Sequence, residues 1–476
     1  MQQPQLDRRS LLRGALATAA LAGTASFAGC AGSASDTPAS SGAPAASGSG
    51  SAAAGAADNP FGVAQGSKVE AVVFNGGYGI DYAENAGKIM SGASFKPSVQ
   101  VAPSTQIGTE LQPRFAGGNP PDVIDNSGKD LIGISAIVDQ LEDLSSVIDA
   151  KNLEGGTIRD TLYNGVLEPG TIDGKLAVIN YVLTVYATWY SSSLFEENGW
   201  TPPKTWEEAY ELGTKAKAKN KFLFLWGKEA ATYYQTMAIG SAIKEGGDET
   251  RLALDNMQAN CWSQKPVQDV FTAMKKIIDA GMVKPGGSGT QFTAAQAQWS
   301  NNQDALLYPS GSWIENEMKK QTKDGFKMMG LSDFSVTDAP KLGAKALHST
   351  AGEGYIVPSK AANPAGGKEF MRVMLSKEAA TNFAKTKLAP TIVKDTVPTD
   401  AFGSTALASQ IKLLEEAGDA IYSWQFVDYY GTNKDQLVLW NSFLDGKMDV
   451  ATLTKELQKI TDTIREDSSI KKYTAK

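Results

Sequence analysis

The stretch DGKLAVINYVLTVYATWYSSSLFEENGWTPPKTWEEA, residues 173–209, decides the fold of this chain. It begins with Asp173-Gly174-Lys175, a tight-turn dipeptide followed by a charge. The 20 residues from Leu176 to Phe195 carry no charge, and this length alone would suit a transmembrane helix. Their β-branched and aromatic side chains instead favour buried strand. We therefore predict two strands with a crossing near Asn180-Tyr181, followed by a short helix around Leu194–Asn198.

The end of the same stretch predicts the start of a longer helix. Pro202-Pro203-Lys204 ends the preceding run, and Thr205-Trp206-Glu207-Glu208 follows as a capping box. In that motif the threonine hydroxyl accepts from the backbone N–H three residues on, and the glutamate carboxylate reaches back. A second capping box, Ser312-Trp313-Ile314-Glu315, predicts that Trp313 lies in the first turn of another helix.

Length and charge narrow the class of protein. The chain has 476 residues, more than one hydrophobic core of ~250–300 residues can hold, so at least two lobes are expected. Its formal net charge of −7 does not favour nucleic acid or an anionic membrane surface as a partner. The cysteines are Cys30 and Cys261. We expect Cys261 to be a buried structural thiol.

The N-terminal residues are typical of an export signal and a tether. Asp7–Leu12 resembles a twin-arginine signal, and Phe27-Ala28-Gly29-Cys30 resembles a lipobox. We interpret residues 1–29 as a signal peptide, although the general export route stays open, and Cys30 as the lipidated residue. Residues 30–58 would be the lipidated cysteine and a disordered tether, since Ala, Gly, Ser and Pro fill 25 of the 28 positions after Cys30.

The folded part alternates strands and helices, which predicts an α/β fold with mostly parallel sheets flanked by helices. Val69–Asn75 and Pro121–Ile124 read as strands. Ligands of such sheets bind beyond the carboxyl ends of strands. Asn75–Tyr78 and Asp125–Ser127 follow two of these ends, so we expect them at a binding site.

Enzyme classes find little support in the residues. His348 is the one histidine, so a Ser-His-Asp triad would depend on it, and no His/Cys spacing suits zinc. We expect no metal, no cofactor and no catalytic group. The alternative that remains is a glycoside hydrolase, which needs only two positioned carboxylates.

A sugar-binding site needs flat aromatic surfaces for the ring faces and polar side chains for the hydroxyls. Candidates of both kinds lie at strand ends and helix starts, while Trp206, Trp262 and Trp440 are assigned to packing and Trp189 and Trp424 are left open. The candidate ligand-binding residues are Asn75, Tyr78, Asp125, Asn126, Tyr181, Tyr186, Trp226, Tyr234, Trp313, Glu315 and Glu353.

Five segments, in order along the folded part, resemble the N-acetylglucosamine/diacetylchitobiose-binding lipoproteins of carbohydrate ABC transporters, within extracellular solute-binding protein family 1. The chain departs from the family pattern at Thr350–Tyr355, where a second glycine and a Glu-Pro-Phe-like ending would be expected, and matches it poorly at Tyr422–Tyr430. The five segments are Asn75–Gly79 (NGGYG), Leu111–Phe115 (LQPRF), Pro120–Gly128 (PPDVIDNSG), Pro309–Glu317 (PSGSWIENE) and Asn363–Gly367 (NPAGG).

The resemblance implies a two-lobed, type II periplasmic-binding fold with a hinge at about Asn180–Thr184. The first lobe would hold residues 59–182 and 351–400, and the second 183–350 and 401–476. It also implies capture of N-acetylglucosamine or short chitin oligosaccharides by hinge closure and delivery to ABC permease subunits. In related sugar-binding proteins an aromatic like Trp313 stacks on a sugar ring, and Tyr233 or Tyr234 resembles a second such residue. The protein would then be exported and held by its lipid on the outer face of the cytoplasmic membrane.

Overall fold

The computed structural model describes residues 58–163 and 165–475. The predicted signal peptide and nearly all of the predicted tether, including Cys30, lie outside the described residues. Among the helices of the described ranges, none has the length and apolar character that a membrane crossing needs. The uncharged stretch from Leu176 to Phe195 forms strands and the start of a short helix, as its β-branched and aromatic content predicts.

Strands occur in both halves of the folded chain. In chain order they are β1 (Lys68–Phe74), β2 (Ser98–Ser104), β3 (Val123–Asp125), β4 (Thr171–Ile172), β5 (Lys175–Leu176), β6 (Ile179–Val185), β7 (Ala187–Ser191), β8 (Phe222–Phe224), β9 (Ala305–Ser310), β10 (Met328–Leu331), β11 (Leu347–Ile356) and β12 (Ile421–Tyr422).

Helices separate most of these strands. They are α1 (Asp81–Ser91), α2 (Ile107–Ala116), α3 (Ile134–Ile137), α4 (Ser145–Ile148), α5 (Ser192–Asn198), α6 (Trp206–Lys217), α7 (Thr232–Gly246), α8 (Asp248–Asp255), α9 (Lys265–Asp279), α10 (Phe292–Ser300), α11 (Ile314–Met318), α12 (Pro364–Met374), α13 (Lys377–Lys387), α14 (Thr405–Ala417), α15 (Phe426–Tyr430), α16 (Asn433–Leu444) and α17 (Val450–Glu466).

The first sheet has the strand order β12-β11-β3-β1-β2, with β6 also paired to β11. The strand β1 is parallel to both β2 and β3. Its alternate residues Val69, Ala71 and Val73 are buried in a core shared with α1 and α12. The opposite face of β1 packs Val72 against α2, whose Ile107 and Leu111 are also buried. This sheet therefore has helices on both faces, as the βα alternation predicts.

The second sheet has the order β10-β7-β9-β8. The pair β8/β9 is parallel, whereas β7 is antiparallel to both β9 and β10. In the first sheet β11 is likewise antiparallel to β3 and β6. The prediction of mostly parallel sheets is therefore wrong in this respect. The reason is that the strands that carry the chain between the sheets run opposite to their neighbours, which makes both sheets mixed.

The chain passes from the first sheet to the second at Tyr186. This residue alone lies between β6 and β7, so the connection between the two strands is one residue long. The prediction of a crossing near Asn180-Tyr181 is therefore wrong, because both residues lie within β6 and the crossing comes after the end of that strand. The predicted hinge residues Asn180–Thr184 pair with β11, and β11 in turn pairs with β12. The lobe limits at single residues stay a prediction.

The two capping boxes have different outcomes. The one at α6 is confirmed: the Glu208 backbone N–H donates to Thr205 Oγ1 at 3.2 Å, and Glu208 Oε2 accepts from the Thr205 backbone N–H at 3.3 Å. The one at Ser312 is wrong. Ser312 Oγ is buried and accepts from the Val185 backbone N–H at 2.8 Å. A tertiary partner therefore takes the hydroxyl, and α11 begins at Ile314.

The packing assignments hold for the tryptophans. Trp206, Trp262 and Trp440 are all buried, as predicted. Trp189, for which the sequence does not decide between packing and binding, is a core residue too. Cys261 is also buried, and burial raises the pKa of its thiol to about 12. Such a thiol stays protonated and unreactive at neutral pH, as expected of a structural cysteine.

Candidate functional site

A cavity of about 880 Å³ lies between the two sheets. Its size falls within the range of ~300–1,000 Å³ typical of small-molecule sites. Asn75 and Asn126 line it from the carboxyl ends of β1 and β3, where a parallel sheet places ligand sites. Trp313 lines it from the second sheet, beyond β9. A smaller cavity of about 230 Å³ adjoins it and shares Asp428 among its lining residues.

The aromatic wall of the cavity is formed by Trp313, Tyr186 and Tyr233. The Trp313 ring lies 5.9 Å from that of Tyr186, at 85°, and 5.8 Å from that of Tyr233, at 54°, measured between ring centroids. Trp313 is only partly buried, so part of the indole faces the cavity. Flat, incompletely covered aromatic surface is what the apolar face of a sugar ring requires.

Two glycines allow Trp313 to adopt this position. A Cβ at Gly311 would come 2.1 Å from the Trp313 ring, and one at Gly77 would come 2.8 Å from Trp313 Cβ. The loop after β1 thus touches α11 directly. Asn316 Nδ2 adds a hydrogen bond of 2.5 Å to the Gly77 carbonyl oxygen. The aromatic wall is therefore fixed by contacts from both sheets.

A second aromatic group surrounds His348 near the point where the chain crosses between the sheets. Its imidazole is stacked between Tyr186, 4.4 Å away at 9°, and Trp424, 3.7 Å away at 23°. All three residues line the cavity. Burial lowers the pKa of His348 well below its usual value, so the ring is neutral at pH 7.

Carboxyl groups line the remaining walls. Glu317 accepts from Gln296 Nε2 at 2.5 Å, and burial raises the pKa of Glu317 to about 7. Asp428 on α15 is exposed within the cavity, and the enclosing protein raises its pKa to about 6. Asp130, near the first sheet, forms an ion pair with Lys434 of α16. These groups can accept hydrogen bonds from sugar hydroxyls.

Glu353 lines the cavity from β11 and contacts Asp125, which lies behind the wall. Burial and the charge of Asp125 raise the pKa of Glu353 well above its usual value. Burial likewise raises the pKa of Asp125 to about 6. The pair is thus a buried carboxyl–carboxyl contact at the edge of the site.

Five of the predicted ligand-binding residues therefore line the cavity. They belong to five separate segments of the chain, which the fold brings together. These residues are Asn75, Asn126, Tyr186, Trp313 and Glu353. Their contact with a ligand stays a prediction.

Three of the other predicted residues lie in or behind the wall of the first sheet, which corrects their placement. Tyr78 is buried against Trp313 and Phe383. Tyr181 points into the core of the first sheet, where its ring stacks on Tyr82 at 6.1 Å. Asp125 is fully buried beneath Glu353. Tyr181 and Asp125 lie in strands, where successive side chains alternate between the two faces, and theirs point to the core. Tyr78 lies in the turn before α1, and its ring packs inward.

The remaining three predicted residues lie on the side of the second sheet and do not line the cavity. Trp226 is buried, with its Nε1 donating to Asn441 at 3.2 Å. Tyr234 is buried, with its hydroxyl donating to the Leu225 carbonyl oxygen at 2.6 Å. Glu315 accepts from Ser404 Oγ at 2.5 Å and does not line the cavity. In a helix each residue turns about 100°, so a register error of one or two positions moves a side chain to another face.

Two of the cavity residues are close neighbours of residues in the predicted set. Tyr233, which the family resemblance offers as the alternative to Tyr234, lines the cavity, and so does Glu317, two positions after the predicted Glu315. Glu317 follows Trp313 by four positions and therefore shares its helix face, a spacing that could have identified it. Trp424 and Asp428 carried no comparable signal, because they come to the cavity through the tertiary packing of α15 and of the residues just before it.

A family model, a protein of similar sequence and several solved structures each match this chain. The model of the family "Bacterial extracellular solute-binding protein" matches residues 95–381. The diacetylchitobiose-binding protein NgcE of Streptomyces coelicolor is 56% identical over 467 residues, which are 98% of this chain and 98% of that protein. The solved structure of SBP RafE in complex with raffinose is 20% identical, with a TM-score of 0.67 over 83% of this chain and 99% of the other. The solved structure of a chitin oligosaccharide binding protein is 18% identical, with a TM-score of 0.66 over 83% of this chain and 98% of the other.

The solved structures establish the fold, and the two-lobed, type II periplasmic-binding architecture expected from the sequence is confirmed. With a family model that covers more than half of its length and a relative that matches nearly all of it, the chain belongs to the bacterial extracellular solute-binding proteins.

Proposed function

We propose that this chain is the sugar receptor of an ABC importer and that it captures N-acetylglucosamine or short chitin oligosaccharides between its two lobes. The observation that carries the proposal is the cavity wall formed by Trp313, Tyr186 and Tyr233, which adjoins polar groups from both sheets. The name of its Streptomyces relative supplies the ligand class. No cofactor or covalent step is required.

The arrangement of the cavity suits an uncharged, hydroxyl-rich ligand. The indole and phenol rings offer apolar faces, while Asn75 and Asn126 offer both donors and acceptors. The carboxylates of Glu317 and Asp428 can accept from hydroxyls or from an acetamido N–H. The volume of about 880 Å³ leaves space for more than one sugar ring, which supports short oligomers as ligands.

The mechanism is a shift in lobe closure. Trp313 and Glu317 belong to the second sheet's side, whereas Asn75 and Asn126 belong to the first. A sugar that contacts both groups binds the closed form more tightly than the open form and so favours closure. The closed form would then present both lobes to the permease subunits of the transporter.

The hydrolase alternative is less well supported. A retaining glycosidase holds its two carboxyl groups ~5–5.5 Å apart, and an inverting one holds them ~6.5–9.5 Å apart. The carboxyl groups of Asp125 and Glu353 are in direct hydrogen-bond contact, which leaves no space for a glycosidic bond between these two groups. The relatives are binding proteins, and we propose the same for this chain.

Calorimetric titration of the full chain with a panel of sugars tests the proposal. We expect binding of N-acetylglucosamine or diacetylchitobiose, a raised melting temperature in their presence, and intact sugar after incubation. Maltose, xylobiose and a tripeptide serve as controls. Stabilisation by one of these controls and by no N-acetylglucosamine sugar would refute the ligand class. Cleavage of a chitin oligomer would instead support the hydrolase.

A further inference from the structure

Two carboxyl groups meet at the edge of the cavity without a cation beside them. Asp125 is the last residue of β3, and Glu353 lies in the middle of β11. The two side chains are hydrogen-bonded to each other. Within the described ranges, neither of them takes part in an ion pair.

Hydroxyl groups surround the pair. Ser127 Oγ donates to Asp125 at 2.5 Å, and Tyr82 Oη lies 3.3 Å from the same carboxyl group. Tyr355 reaches the pair through Tyr82, since the two phenol oxygens are 2.7 Å apart. The other ionisable groups that face the pair are also phenols, and burial raises the pKa of each well above neutrality. These are Tyr78 before α1, Tyr186 between β6 and β7, and Tyr233 on α7.

The charge of the pair follows from this environment. Two carboxyl groups in contact in a buried site cannot both ionise, so one proton stays between them. Asp125 accepts from Ser127, from Tyr82 and from the backbone N–H of Phe74, and these donors stabilise a negative charge on Asp125. Glu353 is therefore the group that keeps the proton and donates it to Asp125. Its second oxygen is left as an acceptor at the cavity.

The backbone at Glu353 is held in an unusual conformation. Its φ is +53°, between Gly352 and Gly354, and a non-glycine residue in the left-handed region of a strand carries a conformational cost. The turn after β3 fixes this geometry: Ser127 Oγ accepts from the Gly354 backbone N–H at 3.0 Å, and the Asn126 backbone N–H donates to the Gly354 carbonyl oxygen at 2.9 Å. A glycine would suit position 353 better, so the carboxyl side chain must have a use there.

We propose that Glu353 positions the ligand in its neutral acid form, donating its proton to Asp125 and offering its free oxygen to a hydroxyl or amide N–H of the sugar. This inference rests on the proposed function. Removal of the proton makes the two carboxylates repel each other and turns Glu353 out of position. Ligand affinity should therefore be constant while the pair keeps its proton and should fall once the pH exceeds the pKa at which that proton leaves.

The test is calorimetric titration of the full chain with diacetylchitobiose and N-acetylglucosamine from pH 5.5 to 9. The parent should keep its affinity over the range in which the pair holds its proton, and any loss should appear only on the alkaline side. Glu353→Gln keeps both a donor for Asp125 and an acceptor for the ligand, so it should bind within about threefold of the parent at pH 6 and show no alkaline loss. Glu353→Ala should bind at least tenfold more weakly at every pH. Glu315→Gln, which changes a carboxyl away from the cavity, should show the parental profile.

The inference is wrong if Glu353→Gln loses affinity with rising pH as the parent does, or if Glu353→Ala binds as tightly as the parent. A second measurement does not require a ligand. If Glu353 keeps its proton only when folded, the melting temperature of the parent relative to Glu353→Gln should fall between pH 6 and pH 9. A constant difference would overturn the shared proton, whereas a falling difference without sugar binding at any pH would leave the pair intact and refute the proposed function instead.

Discussion

At the scale of single residues, the site depends on side chains whose neighbours in sequence point elsewhere. Tyr233 faces the cavity and Tyr234 faces the core, although both are tyrosines at the start of α7. The composition of the segment cannot separate them, because the choice depends on the rotation of the helix against its sheet. The same holds for Glu317 and Glu315 on α11.

The first prediction concerns Trp313→Ala. Loss of a central aromatic anchor should cost at least ~2 kcal/mol of binding free energy, about thirtyfold in the affinity for diacetylchitobiose. Trp440→Ala is the matched control, since Trp440 is fully buried in the second-sheet core and does not line the cavity. It should lose ~3–5 kcal/mol of stability and keep parental affinity in its folded fraction. A Trp313→Ala protein with lowered stability and parental affinity would place Trp313 outside the binding surface.

The second prediction concerns the stacked imidazole. The folded pKa of His348 lies well below that of a free histidine, so in acid the unfolded chain takes up a proton that the folded chain does not. Stability from this source is complete above pH ~6.5 and is lost as the pH falls, by about 1.4 kcal/mol for the first unit below that value.

The variant His348→Phe keeps an aromatic ring and removes the titration. The melting temperature of the parent relative to this variant should therefore fall from pH 7.5 to pH 5. The difference between the two melting temperatures removes the contribution of the carboxyl groups, because both proteins contain them. Their raised pKa values would otherwise change the stability with pH in the opposite direction. If the difference is the same at both pH values, His348 titrates alike in the folded and unfolded chain.

At the scale of elements, the sequence predicted correctly the features that depend on residues close together in the chain. It did not predict the features that depend on contacts between distant residues. The cap of α6 is set by atoms three residues apart, and the sequence predicted it correctly. The cap predicted at Ser312 failed because Val185, far away in the chain, takes the serine hydroxyl. The crossing at Tyr186 was misplaced for a similar reason. The uncharged run continues through both strands, so nothing in it marks the residue at which the partner sheet changes.

The third prediction tests the cap of α6. Thr205→Ala removes the side-chain acceptor for the Glu208 backbone N–H and should lower the free energy of unfolding by ~0.5–2 kcal/mol. Thr214→Ala, at an exposed position inside the same helix, should have little effect, because alanine has the higher helix propensity. Denaturant unfolding of both variants gives the comparison. Equal losses would show that the cap contributes nothing specific.

At the scale of the whole molecule, the two-lobed fold followed from length, strand–helix alternation and family resemblance, and it is confirmed. Five cavity residues were also predicted, since the carboxyl ends of strands are a general location for ligand sites. The contribution of α15 could not be predicted. Trp424 and Asp428 enter the site from the last part of the chain, and only the assembled structure places them beside His348 and Tyr186.

The fourth prediction concerns attachment to the membrane. We propose that Cys30 is acylated and that residues 30–58 act as a tether for the folded lobes. Cys30→Ser removes the acyl acceptor and should release the protein into the medium or leave an unprocessed precursor. Cell fractionation with detergent extraction distinguishes these outcomes from retention. Cys261→Ser is the matched control and should remain anchored. An unchanged, detergent-extracted species in both variants would contradict the anchor.

The placement of the tryptophans gives the molecule a built-in optical reporter. The chain has nine of these residues, and among the described residues Trp313 and Trp424 are the two that line the cavity. Six others, at positions 189, 206, 226, 262, 299 and 440, are buried in the lobe cores, where their emission should be indifferent to the ligand. A change in intrinsic fluorescence on adding sugar would therefore arise mainly at the cleft. The protein could serve, without any label, as a sensor for its own ligand in solution.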